Sequence, residues 1–204
     1  MNQQLESALK IFLPAYFLAW FALAFALRSY LIWKRTGRNP YRLGKTGSAH
    51  DFIGRLFRLT ILVCASVVLI YSVSSEVYRF LAPIYWLQHP APVLIGVGLL
   101  LVSFVWILIA QKQMGDSWRI GIDHEQKTPL VRHGVFRLSR NPIFLGMRVN
   151  LLGLFFTLPN AVTLAALALG EALIQIQVRL EEEYLSRAHG EEYEEYRRQT
   201  RRWL

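Results

Sequence analysis

Hydrophobic residues fall in long blocks along the chain, and basic connections separate the blocks. Residues 11–33 carry no charge before Arg28. That length exceeds the apolar core of a signal peptide and predicts a retained transmembrane helix. Residues 59–75 form a shorter block flanked by Arg55 and Arg58, whose stems can carry their charges to the interface, and predict a second span. No charge occurs across 80–111, but Pro83, Pro90 and Pro92 interrupt that stretch. The third span is therefore placed at 93–109, behind an interfacial aromatic segment with Tyr78, Phe80, Tyr85 and Trp86. Residues 142–158 and 161–178 are joined by little more than Pro159 and Asn160, which demands an antiparallel helical hairpin.

Residues 179–204 are highly charged, with Leu180, Tyr184, Leu185, Tyr193 and Tyr196 interspersed and no proline. They predict a continuation of the fifth helix that breaks near Gly190 and resumes as a short second helix. The expected fold is all-α: a polytopic membrane protein with about five transmembrane helices and a helical C-terminal tail. It divides into a three-span part, 1–110, and a part expected to carry the chemistry, 111–204. In a hairpin centred between Pro159 and Asn160, positions whose numbers sum to 319 share a depth. Arg148 and Glu171 do so, and two opposite charges at one level of an apolar layer invite pairing.

Composition agrees with this organisation. Hydrophobic residues make up 53% and charged residues 18%, with mean hydropathy +0.28, against about a quarter charged in soluble domains. Disorder and an ordinary cytosolic enzyme are excluded. A net charge of +9 and a pI near 10 raise nucleic acid as a partner, yet the cations sit at the ends of apolar blocks, as membrane proteins place them, so no nucleic acid is expected. The connections 34–58, 111–142 and 179–204 hold 19 Lys and Arg, against Lys10 and Arg79 on the other side. This places the N-terminus outside and the C-terminus in the cytoplasm, in a bacterial inner membrane or an ER-like one. Cys64 is alone, and His124, His133 and His189 have no ligand spacing, so no metal is expected. Asp116 and Asp123 read as cap or turn residues.

The segment entering the fourth span holds Arg137, Arg140, Asn141 and Pro142. A proline in a first helical turn beside arginines suits an anion site, although arginines before a span also follow from the positive-inside rule. Glu181, Glu182 and Glu183 read as a solvated charge run or as the end of a polar stripe with Glu171 and Gln175, which lie nearly on one helical face. Glu171 alone reads equally as half of a structural ion pair.

Leu130, Val131, Gly134, Arg140, Pro142 and Gly146, followed after the hairpin by Glu181, Glu182, Leu185, Gly190, Tyr193 and Tyr196, resemble the two motif halves of the integral-membrane methyltransferases. That family includes isoprenylcysteine carboxyl methyltransferase and the phospholipid methyltransferases. The resemblance covers roughly 115–204 and is of bacterial type, with Arg202, Trp203 and Leu204 as a familiar ending. Asn141 stands where the family usually has His, Phe136 and Phe144 where it often has Tyr, and His189 where it has Phe.

The resemblance implies S-adenosylmethionine bound at the cytoplasmic face and methyl transfer to a lipophilic acceptor entering from the membrane lipids, such as a prenylcysteine-like carboxylate, a lipid or another small amphiphile. It implies a cofactor site drawn from Leu130, Val131, Gly134, Phe136, Arg137, Arg140, Asn141, Pro142, Phe144, Gly146, Glu181 and Glu182. Arg140 and Asn141 would hold the cofactor end, the two glutamates its ammonium or ribose, and the two phenylalanines its apolar walls. Arg140, Arg148 and Glu171 are the candidate catalytic residues, with Arg148 orienting an ionised carboxylate acceptor. The rival readings are an NADPH-dependent membrane reductase of the sterol type and a non-catalytic membrane partner protein.

Overall fold

The structure is a computed structural model in which residues 3–37, 39–41, 49–121 and 128–204 are described; Asp123 and His124 lie outside the described residues. Every regular element among the described residues is helical, with isolated backbone bridges and no strand among them. Helix α1 (Gln3–Thr36) contains a π-helical stretch, Ala22–Leu27. It is followed by α2 (Ala49–Val73), the short α3 (Ser75–Arg79) and α4 (Pro90–Met114). The hairpin is α5 (Pro142–Thr157) and α6 (Ala161–His189), and α7 (Glu191–Gln199) ends the series. The protein is thus an all-α polytopic membrane protein. Four of its helices are long and apolar enough to cross a bilayer, and α5 is a shorter apolar helix.

Several helices outrun the apolar blocks that announced them. Pro90 begins α4 and Pro92 follows within its first turn, where a missing N–H removes no intrahelical bond, so these prolines start the helix and do not interrupt it. Arg55 and Arg58 lie within α2, not before it. The break near Gly190 is as expected: Gly190 takes φ 55° between α6 and α7, a conformation that side chains with a Cβ resist.

The hairpin turn is fixed by Asn160. Its side chain accepts from the backbone N–H of Val162 and Thr163, while Thr163 Oγ1 accepts from the Asn160 N–H, a reciprocal cap. Asn160 Nδ2 also reaches the Tyr78 hydroxyl of α3 at 3.2 Å. With the turn so held, the expected register is observed: Arg148 Nε donates to Glu171 Oε2 at 2.7 Å. The other charge inside a span, Arg28, donates to the carbonyls of Gln111 and Gly115 where α4 runs out. Gln111 in turn donates to Ala24 O within the π-helical stretch. Both arginines thus meet acceptors in the apolar layer, as the scarcity of water there favours.

Leu13, Val67, Leu100, Leu154 and Ala166 belong to one core drawn from α1, α2, α4, α5 and α6. Within it Tyr16 donates to Leu100 O, and Asn150 Nδ2 bonds both Tyr16 and Ser103, tying α1, α4 and α5 together. Helices α4 and α5 approach closely at Gly96 and Gly153. A Cβ on Gly96 would sit 2.5 Å from Thr157 N, and one on Gly153 2.9 Å from Leu100 N. Both obstacles are backbone, which cannot swing aside as a side chain can. Gly96→Ala and Gly153→Ala are each expected to destabilise the protein by about 1 to 3 kcal/mol through forced separation of the helices. Gly98→Ala, with nothing within 4 Å of its Cβ, should be neutral. Thermal unfolding in detergent checks the order.

Candidate functional site

Beyond Val178 the sequence of α6 turns from apolar to charged, so its last turns project past the apolar layer. There they meet the loop that leads into α5. A 3-10 turn, Gly134–Arg137, precedes that helix and is seated on α4: Gln113 Oε1 accepts the Val135 N–H at 2.8 Å, and a Cβ on Gly134 would collide with the Gln113 side chain at 2.2 Å. Gly146 likewise brings α5 against Ile107, which a Cβ would meet at 2.5 Å, and Trp106 Nε1 donates to Pro142 O. These two motif glycines serve close packing, and neither lines the cleft described next.

The cleft encloses about 820 Å³ of space, counted out to its open mouth. Leu130, Val131, Phe136, Arg140, Asn141, Pro142, Phe144 and Glu181 of the expected site residues line it. Glu182, Arg137, Arg148 and Glu171 do not. Arg137 is exposed, and the Arg148–Glu171 pair lies one turn deeper along α5 than Phe144.

Glu181 and Glu182 are neighbours with opposite surroundings, because consecutive helical residues point about 100° apart. Glu182 is buried behind the cleft wall, with 8% of its side chain exposed. Its Oε1 accepts from Arg140 Nη2 at 3.1 Å and Asn141 Nδ2 at 3.0 Å, and its Oε2 from Arg202 Nη2 at 2.7 Å. Arg140 spends its remaining donors on the carbonyls of Arg197 and Thr200. Burial alone would raise the Glu182 carboxyl, but the hydrogen bond from Arg202, the charge of Arg140 and the Asn141 amide hold it below the ordinary carboxylate range. Glu181 faces the cleft. Burial pushes its carboxyl up, against the Gln177 amide at 3.2 Å and the charge of Arg119.

Arg119, Tyr184, His189 and Tyr196 also line the cleft, although none of them stands among the expected site residues; Tyr196 is matched as a motif position and His189 as a departure from it. Arg119 donates to Thr128 and lies 5.8 Å from the Tyr184 ring centroid, at the π face that attracts a cation. Tyr184 stands three residues beyond Glu181, one helical turn on, which is the one signal in the sequence that points to it. Tyr196 Oη donates to Phe136 O at 2.6 Å, so α7 closes the cleft from outside. Burial pushes the neighbouring Tyr193 phenol up to about 12, leaving it neutral at any physiological pH.

The arrangement makes Glu182 a structural anchor. Glu182→Gln leaves Arg140 and Arg202 facing each other without their carboxylate, and the expected loss is about 3 to 5 kcal/mol, as for a buried pair stripped of one partner. Glu191→Gln, at an exposed position, should change little. Because the folded-state value of Glu182 is depressed, its contribution is complete above the ordinary carboxylate value and is lost as the pH falls through the folded one. Unfolding midpoints against pH should show this acid limb in the wild type and a flattened one in Glu182→Gln.

No curated protein gives a significant match to the chain. Residues 91–192, half of the chain, match the family profile described as phospholipid methyltransferase. The matched stretch runs from the start of α4 through the hairpin into α7 and takes in the glycine contacts, Glu181, Glu182 and nearly all of the cleft. On that match the chain belongs to the phospholipid methyltransferase family.

Proposed function

We propose that the protein is an S-adenosylmethionine-dependent membrane methyltransferase acting on a lipophilic acceptor at the cytoplasmic face. The observation that carries the reading is the cleft, where the Glu181 carboxylate, two arginines and several aromatic rings converge where the hairpin leaves the apolar layer. S-adenosylmethionine presents a sulfonium, an ammonium, a carboxylate and an adenine, and when bound it supplies an activated methyl group. The residues present fit it: Glu181 for the cation, Arg119 for the carboxylate, Phe136, Phe144 and Tyr184 as aromatic surfaces, and Leu130 and Val131 as an apolar slot. Arg140 and Asn141 shape the wall through Glu182.

The acceptor end lies along α5. Phe144, Arg148 and Leu151 share one face of that helix at spacings of four and three. Phe144 lines the cleft, and Leu151 lines a second, apolar cavity of about 580 Å³ between α1, α2, α5 and α6. Arg148 thus stands between a polar site and a hydrocarbon-lined one, as a head-group contact should. Helix α5 rises only about 24 Å, short of the roughly 30 Å hydrocarbon layer, which supports a cleft floor within reach of membrane lipids. Holding the acceptor in line with the methyl donor would supply most of the acceleration.

Calorimetric titration of the detergent-solubilised protein with S-adenosylhomocysteine tests the cofactor reading. Binding is expected, and Glu181→Gln should weaken it about tenfold or more by removing a charge-assisted contact, while Glu191→Gln should not. The raised Glu181 carboxyl favours its neutral form, so its stabilising effect in the free protein is lost as the pH rises through that raised value. A cationic ligand favours the ionised form. Binding should therefore release a proton, and affinity should rise with pH between the ordinary carboxylate range and the raised value. Equal, small effects at Glu181 and Glu191 would count against the assignment.

The orientation rests on the basic connections. In a Cys64→Ser background an impermeant maleimide should label Gln88→Cys from outside intact cells and Gln199→Cys only after permeabilisation. Labelling of Gln199→Cys in intact cells would place the cleft on the wrong side for a cytoplasmic cofactor pool.

A further inference from the structure

After α7 the chain turns back along the entrance of α5. The backbone N–H of Arg140 donates to Arg201 O at 2.9 Å, and Ser139 Oγ, fully buried, donates to Arg202 O at 3.0 Å. Asn141 Nδ2 also reaches Arg202 O, and the Arg202 side chain is held by Glu182. Residues 200–202 are therefore stitched to residues 139–141, which continue into the cleft wall. The next residue, Trp203, places its ring 4.4 Å from the Arg148 guanidinium carbon.

Arg148 is thus held from two directions. Glu171 Oε2 takes its Nε, the indole covers its face, and its two Nη groups make no hydrogen bond among the described residues. Glu171 is itself fixed by Gln175 Nε2 at 2.8 Å, and Arg179 Nη1 donates to Gln175 Oε1 at 2.8 Å. A guanidinium bonded through Nε and stacked on an indole keeps its Nη pair aimed in one direction. Two N–H groups so aimed form the fork that binds a carboxylate or phosphate oxygen pair.

We propose that Trp203 is a positioning residue for the acceptor: it holds Arg148 with its Nη pair turned to an anionic head group, and residues 200–202 tie that orientation to the cleft wall at Ser139, Arg140 and Asn141. The proposal rests on the methyltransferase reading for the identity of the acceptor, but not for the anion selectivity itself. Trp203 lines neither the cleft nor the apolar cavity. It acts through Arg148, by restricting the guanidinium and shielding one of its faces from water, which strengthens its pull on an anion.

The test titrates detergent-solubilised protein, saturated with S-adenosylhomocysteine, with hexadecanoate and in parallel with hexadecanol, probes that share a chain and differ in head-group charge. The wild type is expected to prefer hexadecanoate. Trp203→Leu should weaken hexadecanoate binding about five- to thirtyfold, the range of a cation–π contact worth keeping. Hexadecanol and S-adenosylhomocysteine should be unaffected within about twofold, since neither needs an oriented Arg148. Trp203→Phe, which restores a ring, should recover most of the loss. Should Trp203→Leu not fold, Trp203→Phe against wild type serves instead, with a loss of about two- to fivefold on hexadecanoate alone. Equal losses for both amphiphiles, no loss for hexadecanoate, or no wild-type preference for it would each overturn the inference. Failure of S-adenosylhomocysteine to bind, with hexadecanoate selectivity and its dependence on Trp203 intact, would sink the cofactor reading and leave this one standing.

Discussion

A carboxylate taken out of water has to be met by cations and donors, and the site is built around Glu182, where this is done. Glu182, on α6, gathers Arg140 and Asn141 from the loop before α5 and Arg202 from the stretch after α7, so three segments meet at it. Once they converge, the loop before α5, the end of α6 and the stretch after α7 have little freedom left. The cleft is the space that remains on the other side of α6. Arg140, for all its position in the wall, has its guanidinium spent on Glu182 and two carbonyls. A role in shaping the wall suits that geometry better than a direct grip on a ligand.

The apolar layer imposes the same rule with different partners. Arg28 caps the open carbonyls of α4 and Arg148 meets Glu171. Where no charge is involved, glycine lets backbones touch: Gly96 and Gly153 between α4 and α5, and Gly146 against Ile107. Tight packing of α4 on α5 holds the Gly134–Arg137 turn in place through Gln113. The position of Phe136 in the cleft thus depends on contacts made well below it.

How much of this was legible depends on whether a feature is set by pattern or by rotation. The hairpin and its register followed from block lengths and a two-residue turn, so the Arg148–Glu171 pairing could be read from arithmetic on residue numbers. The break at Gly190 followed from glycine and charge. The division between Glu181 and Glu182 did not, because a run of three glutamates carries no sign of which one turns inward until the partners Arg140 and Arg202 are placed. Arg119 was equally hidden, since it reaches the cleft from a loop with no periodicity. Gly134 and Gly146 were read with the ligand-binding motif, whereas their neighbours are Gln113 and Ile107, contacts between segments that single-sequence patterns do not encode.

Adjacent residues with opposite environments are also a way to divide labour between two identical side chains. Arg140, Asn141 and Arg202 favour the ionised form of Glu182, and with its oxygens so engaged it serves structure. Glu181 sits where burial disfavours its charge, so its ionisation is available to be coupled to whatever cation enters the cleft. Exchanging their roles would require rotating α6 by about 100°. That rotation would carry Glu171 away from Arg148 on the same helix, so the ion pair in the apolar layer also guards the choice of which glutamate faces the cleft.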